Sequence, residues 1–201
     1  MLRRHLIALS LAIPFAAAAA PSVGQPAPGF VLKDAAGKAV KLSDFRGKYV
    51  VLEWTNPGCP YVRKHYDSGN MGATQAHATA KGVVWLSVNS TAKSSWEYME
   101  PAKVVAWQKG RNSAPTALLV DEDGLVGRAF GARTTPHMYI VDPKGKLVYA
   151  GGIDSIASSD RADIAKAVNY VRTGLDEALA GKPISNPVTR PYGCSVKYAD
   201  S

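Results

Sequence analysis

Cysteine is scarce: Cys59 and Cys194 are the only two among 201 residues. No Cys-x-x-x-Cys or His-x-x-x-His pair occurs, so the close-spaced ligands of short metal motifs are missing. No Gly-rich phosphate loop is present, and no organic cofactor is expected. No apolar run reaches the ~20 residues that span a bilayer, so a membrane-embedded chain is not expected. Internal repeats and, after residue 20, low-complexity blocks are also lacking. Lys and Arg outnumber acids 24 to 16, for a formal charge of +8. The basic residues are scattered among acids, as in Lys144-Gly145-Lys146 and Arg161-Ala162-Asp163. A nucleic-acid binder gathers such charge on one face, so a solvated basic surface and no nucleic-acid partner are expected.

The amino-terminal stretch sets the compartment. Residues 1–20 open with Met1-Leu2-Arg3-Arg4, run apolar from Leu6 to Phe15 and close with Ala16 to Ala20. A charged start, a short apolar run and a small-residue end form the pattern of a secretory signal peptide. Cleavage after Ala18, Ala19 or Ala20 fits it, and no cysteine there suggests a lipid anchor. The expected location is a bacterial periplasm, where disulfides persist. Roughly 180 residues then remain, enough for one domain with a real core. The expected division is a signal peptide over 1–20, a domain over 22–182 and a tail over 183–201. That tail is rich in Pro, Gly and Ser and carries Cys194.

Cys59 is the residue whose surroundings say most. The apolar run Tyr49-Val50-Val51-Leu52 leads into Glu53-Trp54-Thr55-Asn56-Pro57-Gly58 and then Cys59-Pro60. Proline suits the first helical position, where its missing N–H would have had no partner. The expected order is strand, turn, and a helix that begins at the sulfur. Free backbone N–H groups and the helix dipole favour a thiolate there, and the thiolate is the nucleophile. A buried cysteine used as a small apolar side chain is the bland alternative.

Strand and helix signals alternate along the rest. Phe30-Val31-Leu32 and Val40-Lys41-Leu42 flank a Gly-containing turn and suggest a hairpin. Ser43-Asp44-Phe45 starts a short helical turn that Gly47 ends. Tyr49–Trp54 and Val83–Val88 are apolar enough for central strands. The helix after Cys59 is expected to break at Gly69-Asn70 and resume to about Lys81. Residues 94–109 read as a helix with Trp96, Met99, Val104, Val105 and Trp107 on an apolar face, Pro101 sitting near a start or kink. Thr116–Val120 is a further strand, and Met138–Asp142 with Leu147–Ala150 forms a second hairpin. Residues 160–179 read as the last helix.

Three segments resemble the thioredoxin-fold redoxins: Gly24-Gln25-Pro26-Ala27-Pro28, Val40 through Lys48, and the Cys59-Pro60 helix start. More narrowly, they resemble the alkyl hydroperoxide reductase / thiol-specific antioxidant (AhpC/TSA) family and its peroxiredoxin-like relatives. Thr134-Thr135-Pro136 resembles the cis-proline loop that lies beside the active cysteine in such folds. The resemblance covers roughly residues 22–180. It implies an α/β, thioredoxin-like fold: a central mixed sheet flanked by helices, with an N-terminal hairpin extension. It also implies a thiol-dependent oxidoreductase acting on a disulfide-bearing protein or a small peroxide, reset by a periplasmic thiol reductant. Cys59 would be its nucleophile. Glu53 resembles the buried acid of thioredoxins, which could relay protons. Pro60, Thr135, Pro136 and His137 would line the substrate side.

Departures from the family pattern leave the mechanism open. Peroxidatic sites resemble Pro-x-x-x-Thr-x-x-Cys with an Arg from a later strand, but here Leu52 and Asn56 hold the first two places and Pro136 the Arg place. A Cys-x-x-Cys pair is also missing, since Asn56 and Val62 stand at the two possible partner positions. Cys194 is therefore expected either to resolve the Cys59 adduct or to form a static Cys59–Cys194 disulfide with it. Pairing with another molecule is a third option. Arg63, four residues past Cys59, would either lower the thiol pKa from the same helical face or be solvated. His65 and His77 are expected on the surface. Two further functions stay open: a redox-silent binding scaffold, and a copper-binding thioredoxin-fold chaperone that uses Cys59, His137 and Cys194.

Overall fold

The computed structural model describes residues 21–199, and the leader read from residues 1–20 lies outside them. Nine strands occur among the described residues: β1 (Val31–Asp34), β2 (Ala39–Lys41), β3 (Val50–Trp54), β4 (Val84–Asn89), β5 (Ala117–Val120), β6 (Thr134–Thr135), β7 (His137–Val141), β8 (Leu147–Gly151) and β9 (Cys194–Ser195). Seven form one mixed sheet in the order β2-β1-β5-β4-β3-β7-β8, while β6 and β9 pair separately. The helices are α1 (Pro60–Asp67), α2 (Asn70–Thr79), α3 (Pro101–Lys109), α4 (Leu125–Phe130) and α5 (Tyr170–Leu179).

The central strand explains the layering. β3 is buried at every position because both of its faces are covered, as a near-continuous apolar run requires. It pairs in parallel with β4, placing Leu52 opposite Leu86, and antiparallel with β7, placing Trp54 opposite His137. Leu52 and Trp54 face one core with Leu86, Phe130 and Tyr139. Val51 faces the other, with Trp85, Met138 and Ile140 against Val62 and Tyr66 of α1, Met71 of α2 and Leu175 of α5. Burial of each such side chain contributes about 1.5–3 kcal/mol.

Three expected boundaries move. The helix expected over 94–109 begins only at Pro101, its first helical residue, and Glu100 before it is extended. Proline in the interior would clash with the preceding turn, and it pushes its predecessor out of the helical region. Trp96 is consequently not on an apolar face but 90% exposed in the preceding loop. The last helix is split into a 3-10 turn at Arg161–Ala165 and α5. Asn169 competes by capping α5, its side chain accepting from the Arg172 N–H. The tail is not merely irregular: Tyr192 and Val196 are buried, and Cys194–Ser195 is a strand.

Candidate active site

The turn after β3 is built by one side chain. Asn56 Oδ1 accepts from the Gly58 N–H at 2.8 Å, and the Asn56 carbonyl accepts from the Cys59 N–H at 3.0 Å. Asn56 Nδ2 donates to Glu97 Oε2 at 2.5 Å, tying the turn to the loop after β4. Cys59 thus caps α1 with Pro60 in the first helical position. Its thiol is fully buried, at 0% exposure, and donates to the Thr135 carbonyl at 3.0 Å. The Thr135–Pro136 bond is cis, and the Thr135 carbonyl contact sets the loop ahead of β7 against the sulfur.

The tail brings the second sulfur to the first. β9 pairs antiparallel with β6, in a register that sets Cys194 opposite Thr135 and Ser195 opposite Thr134. Gly193 makes the approach possible. Its φ is +137°, and a Cβ there would fall 2.0 Å from the Thr135 carbonyl oxygen, a position no side chain can take. Cys194 is half-buried, and its thiol interacts with that of Cys59. Burial first, then the neighbouring Cys59 thiol, pushes the Cys194 thiol up to about 12; the Glu97 carboxylate adds to the shift and the Lys197 ammonium opposes it.

Both flanks of Cys194 are fastened. Upstream, the Tyr192 hydroxyl donates to Asp154 Oδ1 and meets His65 Nε2 at 3.0 Å. Lys64, also buried, pairs with Asp154 at 3.3 Å and donates to the Ile156 carbonyl at 3.0 Å. Downstream, Val196 enters the core, and Lys197 pairs with Glu97 Oε1 at 3.2 Å. The Tyr198 hydroxyl donates to the Ala132 carbonyl at 2.7 Å. His65 is therefore no surface residue: it is at 0% exposure, and burial holds its imidazole down at about 4. His77 is nearer the surface and pairs with Asp176 at 2.7 Å.

The remaining candidates divide. Glu53 lies in β3 on the α1 side, fully buried, and accepts from four donors: Tyr66 Oη at 2.6 Å, Trp85 Nε1 at 2.8 Å, Ser87 Oγ at 3.0 Å and Gln75 Nε2 at 3.3 Å. Desolvation raises its pKa, and the four hydrogen bonds oppose that rise. Arg63 Nε donates to the Pro57 carbonyl at 2.8 Å. It braces the turn, while the sulfur's own partners are the Thr135 carbonyl and Cys194. His137 follows the proline but points to the opposite face of the sheet, because side chains alternate along β7. There it stacks with Tyr139 at 4.5 Å, and its Nδ1 meets the Tyr139 hydroxyl at 3.1 Å. Burial, aided by Arg133, pulls it down to about 3. Asn56, Lys64, Glu97, Asp154, Tyr192 and Lys197 were not read as site residues. Tyr192 carried a signal as one of the tyrosines flanking Cys194, and Asn56 as an Asn whose side chain caps its own turn two residues on; Lys64, Glu97, Asp154 and Lys197 join through contacts between distant parts of the chain.

A parallel β3–β4–β5 core, antiparallel β7–β8 on its edge and a thiol at the head of the helix after β3 make this a thioredoxin-fold redoxin. The profile of the AhpC/TSA family matches residues 23–150, and the chain belongs to that family. It is 27% identical over 135 residues to the thiol-disulfide oxidoreductase ResA of Bacillus subtilis (strain 168), covering 67% of this chain and 69% of ResA. Among solved structures, an uncharacterized conserved protein from Geobacillus kaustophilus superposes with a TM-score of 0.72 at 27% identity, over 90% of this chain and 94% of that one. The thioredoxin domain of a thiol-disulfide oxidoreductase from Bacteroides vulgatus superposes with a TM-score of 0.53 at 25% identity, over 73% of this chain and 97% of that one. Cys194 lies beyond the residues that the family profile matches.

Proposed function

We propose that this redoxin is an exported thiol–disulfide oxidoreductase whose working pair, Cys59 and Cys194, alternates between dithiol and disulfide. The observation that carries this is the β6–β9 register, which sets Cys194 opposite Thr135, the residue whose carbonyl accepts from the Cys59 thiol. In one direction the two thiols lose two electrons and two protons to a substrate disulfide, which becomes two thiols. In the other, a thiol reductant restores the pair. A disulfide-bearing protein is the substrate class, in keeping with the name of the ResA relative.

Peroxide cleavage fits less well. It needs donors that polarise the departing oxygen, whereas the Cys59 sulfur faces a carbonyl and a thiol and the nearby Arg63 is engaged by Pro57. The copper reading fits poorly too. His137 turns away from the cysteines, and among the described residues no group of three or more His, Cys, Asp or Glu is placed to hold a metal. Glu53, buried and raised, is suited to hold or release a proton beside α1 during exchange. Export rests on the leader pattern of residues 1–20, and a periplasmic setting would keep a disulfide available.

The test is the intact mass and thiol count of the protein with and without reductant, followed by the potential of the disulfide. The expected result is an intramolecular Cys59–Cys194 bond with a potential above about −250 mV. A bond below about −300 mV would instead mark a structural staple and favour the scaffold.

A further inference from the structure

The two sulfurs are not equally reachable. Cys59 is fully buried beneath the tail, whereas Cys194 is half-buried in β9 next to exposed Ser195. Uncovering Cys59 would require the tail to leave, and the tail is held on both sides. Tyr192 is locked to Asp154 and His65, Val196 sits in the core, and Lys197 is paired with Glu97. Backbone hydrogen bonds add to this: the Val196 N–H donates to the Arg133 carbonyl, and the Ala92 N–H to the Lys197 carbonyl.

We infer that in the oxidised pair an incoming thiolate attacks the sulfur of Cys194, and that Cys59 is the internal leaving thiolate. This rests on the redox-pair reading and reverses the order expected from the sequence, in which Cys59 meets the partner first. A new S–S bond forms between the partner and Cys194 as the Cys59–Cys194 bond breaks, and the electron pair of that bond goes to the Cys59 sulfur. A second thiolate of the partner then attacks the partner's own sulfur in the mixed disulfide. Cys194 is released and takes a proton. The protein has gained two electrons, and the partner leaves as a disulfide.

The site suits each sulfur to its part. Cys59 is the N-cap of α1, at the end of a helix where the dipole favours negative charge in general. Attack on Cys59 would have to expel Cys194 instead. Burial and the Glu97 carboxylate disfavour that thiolate, and the poorer thiolate is the slower leaving group. The partner class is therefore a thiol donor, either a dithiol protein or a small thiol, that reaches the outer edge of β9.

The experiment mixes the oxidised full-length chain with reduced glutathione, quenches in acid during the reaction and locates the adduct by peptide mass spectrometry. The expected adduct is on Cys194, exceeding any on Cys59 by about tenfold or more. An adduct mainly on Cys59, or shared evenly, overturns the inference and leaves the redox pair standing. Failure to form the intramolecular disulfide overturns both. As a second measurement, reduced Cys194→Ser is titrated with 5,5′-dithiobis(2-nitrobenzoate). Cys59 is expected to react at least about a hundredfold more slowly in the folded variant than in the urea-unfolded one. Equal rates would show that the tail does not cover it, and the inference would fall.

Discussion

Glu53 and His137 lie on neighbouring strands and face opposite sides of the sheet, each with a charge state set by burial. Replacing Glu53 with Gln places an amide N–H₂ among four groups that all donate to the carboxylate. The expected cost is about 1–3 kcal/mol, seen as a lower urea midpoint. The histidines make stability pH-dependent. His65 is held at about 4 and His137 at about 3, while the unfolded chain binds both protons below about 6.5. The unfolded state therefore carries more protons in that window, and stability is lost as pH falls from 6.5 toward 4. Each histidine contributes about 1.4 kcal/mol per pH unit. Glu53 acts in the opposite sense: its raised pKa makes the folded state keep a proton above 4.5, so its contribution declines as pH rises from 4.5 to the folded value. A His137→Asn variant is expected to lose roughly half of the acid decline in urea midpoint; an unchanged slope would rule out His137 as a source. Glu53 was legible in the sequence because a charge inside an apolar run has to be buried with partners. His65 was not, because Asp154 and Tyr192, which bury it, lie far along the chain.

At the level of elements, the pairing of β6 with β9 decides how the site is closed. A Gly193→Ala change would drive a methyl into the Thr135 carbonyl. It is expected to cost about 1–3 kcal/mol and to release the tail. Limited trypsin digestion reads the outcome: faster cleavage after Lys197, which the docked tail holds paired with Glu97, with the rest of the chain left intact. Tyr192→Phe removes the hydroxyl shared by Asp154 and His65, leaving a buried carboxylate short of a donor. A smaller release in the same assay is expected from it. The hairpins β1–β2 and β7–β8 were readable from apolar runs either side of Gly-containing turns, and α1 from Cys59-Pro60. The true start of α3 came from Pro101 and the split before α5 from the Asn169 cap, each outweighing helical periodicity. β9 was unreadable because two residues carry no periodicity; its partner strand alone defines it.

For the molecule as a whole, a Cys59–Cys194 bond closes a loop of well over a hundred residues. The chain-entropy model assigns such a closure about 4–5 kcal/mol, with a more compact unfolded state. The oxidised protein is therefore expected to unfold at higher urea concentration and with a smaller m-value than the dithiol form. Equal midpoints in the two forms would mean that the bond strains the folded site as much as it restricts the unfolded chain. That β9 follows every other described element in chain order has one more consequence, and it concerns time. Translation runs from the amino end at about 5–20 residues per second. Among the described residues the seven-stranded sheet and the helices α1 to α5 are complete by Leu179, but the strand that covers Cys59 starts only at Cys194. Each new molecule thus passes through an interval of about seconds in which the Cys59 turn and helix are made and their cover is not yet made. During that interval the Cys59 thiol is open to exchange with any disulfide nearby, before Cys194 and Ser195 arrive to shelter it.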